Sequence, residues 1–201
     1  MTVLITGFEP FADNAINPSY EAVRRLPDQI CGAAVEKRCL PVVFGKAADL
    51  LEREIEKICP DIVICTGLAG GRSAITPESV AVNLMDARIP DNEGQQPRKQ
   101  KILEDGEKEL YASLPISLML DCLREARIPA QQSDSAGPFV CNEVFYRLMK
   151  MTEGSRILAG FVHIPYITGM GKGKPEMKLE DVIRGLEICV GAAVRSLILK
   201  A

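Results

Sequence analysis

The sequence holds one histidine, His163, and no tryptophan. Any chemistry near neutral pH that needs an imidazole must use that single side chain. A histidine-built metal centre is excluded by the same count. None of the seven cysteines, Cys31, Cys39, Cys59, Cys65, Cys122, Cys141 and Cys189, falls in a CxxC pair, so no metal site is expected. Their odd number and even scatter argue against a secreted disulfide framework and for a reducing, cytoplasmic setting. A basic excess is missing too. The chain has 24 Lys and Arg against 27 Asp and Glu, a net charge of -3, so nucleic acid is not an expected partner. No apolar run approaches the ~18 residues of a membrane span. The opening segment, MTVLITGFEP, lacks the positive region and cleavage pattern of a signal peptide.

What is present is the apolar content of a globular domain, 47% over 201 residues, and residues 1–201 read as one domain. Short apolar runs alternate with amphipathic stretches. Strands are expected at 3–5, 35–40, 61–65, 80–84, 157–164 and, more briefly, 130–134. Helices are expected from an Asn17 cap with Pro18 at the first position through about Leu26, then over 48–58, 116–127, 139–151 and 179–199. Residues 88–108, RIPDNEGQQPRKQKILEDGEK, form a polar excursion, and TGMGKGKP at 168–175 a Gly/Lys loop. Strand and helix alternating without repeat or linker imply an α/β/α sandwich around a twisted, mostly parallel sheet. Ligands of such sheets sit beyond the carboxyl ends of strands. The segments to search are therefore 7–17, 67–72 and 163 onward.

Cys141, in AGPFVCNEVF, falls at the start of a helix, where the dipole and free N–H groups favour a thiolate and could receive an oxyanion. The competing reading is a small buried hydrophobe, which is how the other six cysteines are read. His163, in GFVHIPY, stands at the end of an apolar strand, as a structural residue or as the base of a Cys–His pair. Such a pair needs a third group to orient the imidazole. Glu78, in ITPESVAVN, and Asn142, beside the cysteine, are the two available. GLAGGR at 67–72 lacks the spacing of a phosphate-binding loop and fits a turn where backbone approaches a ligand.

Five segments in order, GFEPF with NPS, GLAGGR with ITPESVAVN, DARIPDNEGQQP, AGPFVCN and GFVHIPY, resemble the pyroglutamyl peptidase type I family. The resemblance runs from about residue 4 to 166. It implies an α/β/α sandwich, commonly homotetrameric. The activity it implies is removal of an N-terminal pyroglutamyl residue from small peptides through a thioester acyl-enzyme, without metal or cofactor. It carries a catalytic triad onto Glu78, Cys141 and His163, with Glu78 and not Asn142 as orienter. It also places transition-state support on Arg88, ring-binding aromatics on Phe8, Phe11 and Phe139, and a lactam contact on Asn17. Leu68 stands in the substrate-binding turn where the family often has Gln. Ala12-Asp13 and Pro138 also depart from the family's usual Gly and Thr. An uncharged lactam suits apolar walls with one or two polar contacts. A different thiol amidohydrolase, a non-catalytic binding domain and a thiol redox protein are the competing classes. The last would need a resolving cysteine close in sequence, and none is there.

Overall fold

A computed structural model describes residues 1–12 and 14–199; Asp13 lies outside the described residues. The element order is β1 (Thr2–Phe8), α1 (Pro18–Val23), β2 (Gln29–Ile30), β3 (Ala33–Leu40), α2 (Lys46–Ile58), β4 (Ile62–Leu68), β5 (Thr76–Glu78), β6 (Val80–Val82), β7 (Glu109–Tyr111), α3 (Ile116–Glu125), α4 (Val140–Met151), β8 (Leu158–Ile164), β9 (Tyr166–Ile167), β10 (Glu176–Met177) and α5 (Leu179–Ile198). Six strands form the central sheet in the order β2-β3-β1-β4-β8-β5. The four inner strands are parallel, and the short edges β2 and β5 are antiparallel to their neighbours.

The two-residue period of the strands divides the core. Val3, Ile5, Ile62, Ile64, Val162 and Ile164 face α1, α3 and α5, whereas Leu4, Val63, Cys65, Ala159 and Phe161 face α2 and α4. This is the expected α/β/α sandwich. Both faces of the inner strands are covered, which is why they read as unbroken apolar runs. A methyl group at Gly7 would lie 2.5 Å from the backbone nitrogen of Tyr20, so glycine there lets α1 pack directly on β1.

The long elements lie where periodicity put them, within a few residues. Five strands of two or three residues, β2, β5, β7, β9 and β10, were not expected. The strand expected at 80–84 is the shorter β6, which pairs with β7 in a separate ribbon. Residues 130–134 do not form a strand. They run alongside β5 through the isolated bridges Ile75 to Ala130 and Glu78 to Ser133. The 168–175 loop joins β9 to β10, its turn held by Glu176, which accepts from the Gly169 and Gly171 N–H groups.

Candidate active site

Strand order reverses between β1 and β4. The chain passes from β1 outward to β3, then returns to place β4 on the other side. At such a switch point the loops leaving the two strands diverge and open a crevice. Here the crevice is a cavity of about 130 Å³ lined by Phe8, Phe11, Asn14, Ile16, Asn17, Val42, Leu68, Phe139, Val140 and Cys141. Phe8 and Leu68 are the last residues of β1 and β4. The cavity thus receives all five expected substrate-binding side chains, Phe8, Phe11, Asn17, Leu68 and Phe139. Phe139 holds the aromatic wall together, 5.2 Å from both the Phe11 and Phe44 ring centres.

Cys141 is the second residue of α4, where its backbone N–H has no intrahelical acceptor. Its neighbour on the sheet is Gly67: a methyl group there would lie 2.9 Å from Cys141 Sγ. Gly67 is in turn the register partner of His163 on β8. On the other side of β8, Thr76 pairs with His163 and Glu78 with Phe161. Registered partners share a face, so the imidazole and the Glu78 side chain lie on the side covered by α4. His163 Nδ1 is 2.7 Å from Glu78 Oε1, both groups being buried. That contact leaves Nε2 as the free ring nitrogen. The structure therefore places Cys141 in the cavity wall and the His163–Glu78 pair behind it, on the same face of the sheet one strand away.

The electrostatics differ from the simple helix-start expectation. Burial first, then the charge of Glu78, push the Cys141 thiol up to about 12, against a smaller opposing effect of its own backbone N–H. At rest burial therefore favours the thiol over the thiolate. Burial also lowers the His163 pKa below the ordinary imidazole value, outweighing Glu78, which raises it. Burial opposes the Glu78 charge as well, but its contacts with His163 first, then Ser133 and Arg72, prevail and hold the carboxyl below its usual range.

Asn142 is placed for packing. Its amide pairs with the backbone of β6, accepting from Val82 N–H and donating to the Val82 and Leu84 carbonyls. This fastens the first turn of α4 and leaves nothing for the imidazole. Asn17 caps α1: its Oδ1 accepts from the Ser19 N–H and hydroxyl, and Nδ2 donates to the Glu9 carbonyl. One N–H of its amide remains for the cavity. Glu9 points away, its Oε1 accepting from Val42 N–H and Asn92 Nδ2.

Comparisons with known proteins identify the family and the fold. The pyroglutamyl peptidase family matches over residues 1–196. The chain belongs to that family. A pyrrolidone-carboxylate peptidase of Thermococcus onnurineus is 46% identical over 200 residues, covering 98% of this chain and all of the relative. One from Thermosipho melanesiensis is 48% identical over 191 residues, covering 92% and 95%. Among solved structures, pyroglutamyl peptidase I from Bacillus amyloliquefaciens superposes with a TM-score of 0.93 at 42% identity, covering 96% of this chain and 94% of that one. Pyrrolidone carboxyl peptidase from Pyrococcus furiosus gives 0.93 at 41%, covering 98% and 100%.

Two features of this pyroglutamyl peptidase family member were not foreseen. Arg88 is exposed, does not line the cavity, and among the described residues makes no side-chain hydrogen bond or ion pair; only its carbonyl is engaged, by Gln96. The arginine that reaches the triad is Arg72, whose Nη1 lies 2.5 Å from Glu78 Oε1. The excursion, second, is a strap. Asn92 donates to Glu9 Oε1 and the Pro10 carbonyl, and Asp91 accepts from the Phe44 N–H. It thereby ties together the two loops that wall the cavity. No local pattern announces either feature, because the partners lie far along the chain.

Proposed function

We propose that this protein hydrolyses the amide bond after an N-terminal pyroglutamyl residue, with residues 1–201 acting as one catalytic domain. One observation carries the reading. The thiol stands in the wall of a small, uncharged, aromatic cavity, beside the sole imidazole, which a buried carboxylate holds by Nδ1. The lactam ring packs against the aromatic wall of Phe8, Phe11 and Phe139, and the free Asn17 N–H meets its ring carbonyl. His163 Nε2 takes the Cys141 proton as Sγ attacks the scissile carbonyl carbon, so no thiolate need pre-exist. The oxyanion that forms is met by the Cys141 N–H. The tetrahedral species expels the amine, which takes the proton from His163, and a thioester remains. Water then attacks, giving its proton to His163. The thiol is reformed and pyroglutamate leaves. Glu78 fixes the imidazole tautomer and offsets the transient imidazolium.

The cavity also supports discrimination. Peptides starting with glutamine or glutamate bring an ammonium, which must lose its water among Phe8, Phe11 and Phe139. The one carboxylate beside these residues, Glu9, is committed elsewhere. A homotetramer in the cytoplasm completes the reading. The apolar stripe of α5 is spent on its own sheet, so what favours assembly is the family membership and the exposed Ile198 (56%) and Leu199 (84%). The deciding assay is release of a fluorescent amine from its pyroglutamyl amide. Turnover by the native chain and none by Cys141→Ala is expected; undiminished activity in that variant rejects the mechanism.

A further inference from the structure

The mechanism leaves the last residue of the GLAGGR turn without a role, yet its contacts are specific. Arg72 Nη1 donates to Thr76 Oγ1 and Glu78 Oε1, each at 2.5 Å, and Nη2 donates to the Ser135 carbonyl at 2.8 Å. One guanidinium thus joins three segments: the turn after β4, strand β5, and the loop that leads into α4 and Cys141. The oxygen it shares is the one that also binds the imidazole, while Glu78 Oε2 makes no hydrogen bond among the described residues. Glu78 is fully buried. A neutral imidazole cannot balance its charge, and a buried carboxylate without a counter-charge is strongly disfavoured. Arg72 is a permanent cation, and its planar fork reaches carboxylate and carbonyl together.

We propose that Arg72 is a positioning residue of the thiol site: it clamps Glu78 beneath the imidazole and, through Ser135, anchors the approach to Cys141. It touches no reacting atom. The catalytic consequence rests on the functional reading above, whereas the clamp itself is testable without turnover. The ionisable groups against His163 are Glu78 from β5, Arg72 from the turn and Cys141 from α4, with Cys65 behind the thiol on β4. Arg72 opposes protonation of His163 and Glu78 favours it. Removing the guanidinium lifts that opposition, so the titration midpoint of the imidazole should rise while Glu78 keeps its bond to Nδ1.

Because the chain has one histidine, protein labelled with ¹⁵N-histidine gives a single imidazole signal to follow against pH. Arg72→Gln should raise the midpoint and lower kcat on the order of a hundredfold with little change in KM, as expected when a reacting group is misplaced by about an ångström. Arg88→Gln removes the same charge without touching Glu78 and should leave the midpoint where it was. Arg72→Lys keeps the charge and loses the fork. Its midpoint should stay near the native one while kcat falls about tenfold. An unmoved midpoint in Arg72→Gln, an equal rise in Arg88→Gln, or native kcat in Arg72→Lys overturns the proposal. If Arg72→Gln does not fold, Arg72→Lys and its kcat decide alone. Failure of the native chain to release amine would instead reject the functional reading, with the titration still reporting on the clamp.

Discussion

At Gly67 the sheet has room for the Cys141 sulfur and for nothing more. A methyl group there would sit 2.9 Å from Sγ and 3.0 Å from the Phe161 ring. The sulfur is the end of a side chain that can rotate, so Gly67→Ala should leave the fold in place and turn the thiol away from His163. We expect kcat to fall on the order of a hundredfold, with the far-ultraviolet dichroism unchanged; near-native kcat would show that the thiol has other space. The acid limb of kcat/KM follows from His163. Its pKa lies below the ordinary imidazole value through burial, so the base stays neutral and active at pH values where a free imidazole is already protonated. Activity should therefore persist below pH ~6.5. Glu78→Gln removes a group that raises that pKa. It should move the limb lower still while cutting kcat by roughly tenfold to a thousandfold. An acid limb above the free imidazole value would contradict the buried, neutral base. Cys141 and His163 were legible in the sequence because each stands at the edge of a strand or helix that periodicity reveals. Arg72 was not, since its partners Glu78 and Ser135 become neighbours only when β5 lies beside residues 133–135.

The elements that sequence could not show are those lacking the length to display a period. β5 is three residues with a proline at its centre, yet it carries Glu78 to the sheet edge and pairs with β8. Its proline is tolerated because an edge strand need not donate at every residue. The 88–108 excursion was visible only as polarity. Its order comes from side chains that bond backbone: Asn83 accepts from the distant Ile102 and Leu103, and Asp91 from the distant Phe44 and from Glu93 and Gln95 in its own turn. Asn92 is the link with the clearest consequence, since its Nδ2 joins the strap to both Glu9 and Pro10 at the cavity mouth. Asn92→Ala should loosen that wall without reaching the thiol. KM for a pyroglutamyl amide is expected to rise about threefold to tenfold, the scale of an ordinary net hydrogen bond of about 1 kcal/mol at an exposed site, at near-native kcat. A loss confined to kcat would place the strap in the chemistry instead.

For the whole molecule, the cysteines that the sequence left as small hydrophobes set a limit on stability in alkali. Cys65 and Cys189 are fully enclosed, one on each face of the sheet, and burial pushes both thiols up to about 12 from an unfolded value of 9.0. A group whose pKa is raised by folding stabilises the native state fully below its unfolded value, and that contribution is lost as pH climbs toward the folded one. The loss therefore starts near pH 9 and continues toward 12. Near its unfolded value each thiol is only part ionised, so each loses about 1 kcal/mol between pH 9 and 10 and the pair about 2 kcal/mol. For a chain of this size that corresponds to a fall in Tm of roughly 4–8 °C. Thermal melts under reducing conditions at pH 8, 9 and 10 would measure it. The double variant Cys65→Ala, Cys189→Ala leaves no thiol to ionise at these positions, so its Tm, lower at pH 8 for want of packing, should decline less steeply above pH 9. If both proteins lose Tm in parallel, these two thiols are not what ties stability to pH, and the alkaline limit comes from other groups, the raised Cys39 and Cys141 thiols among them.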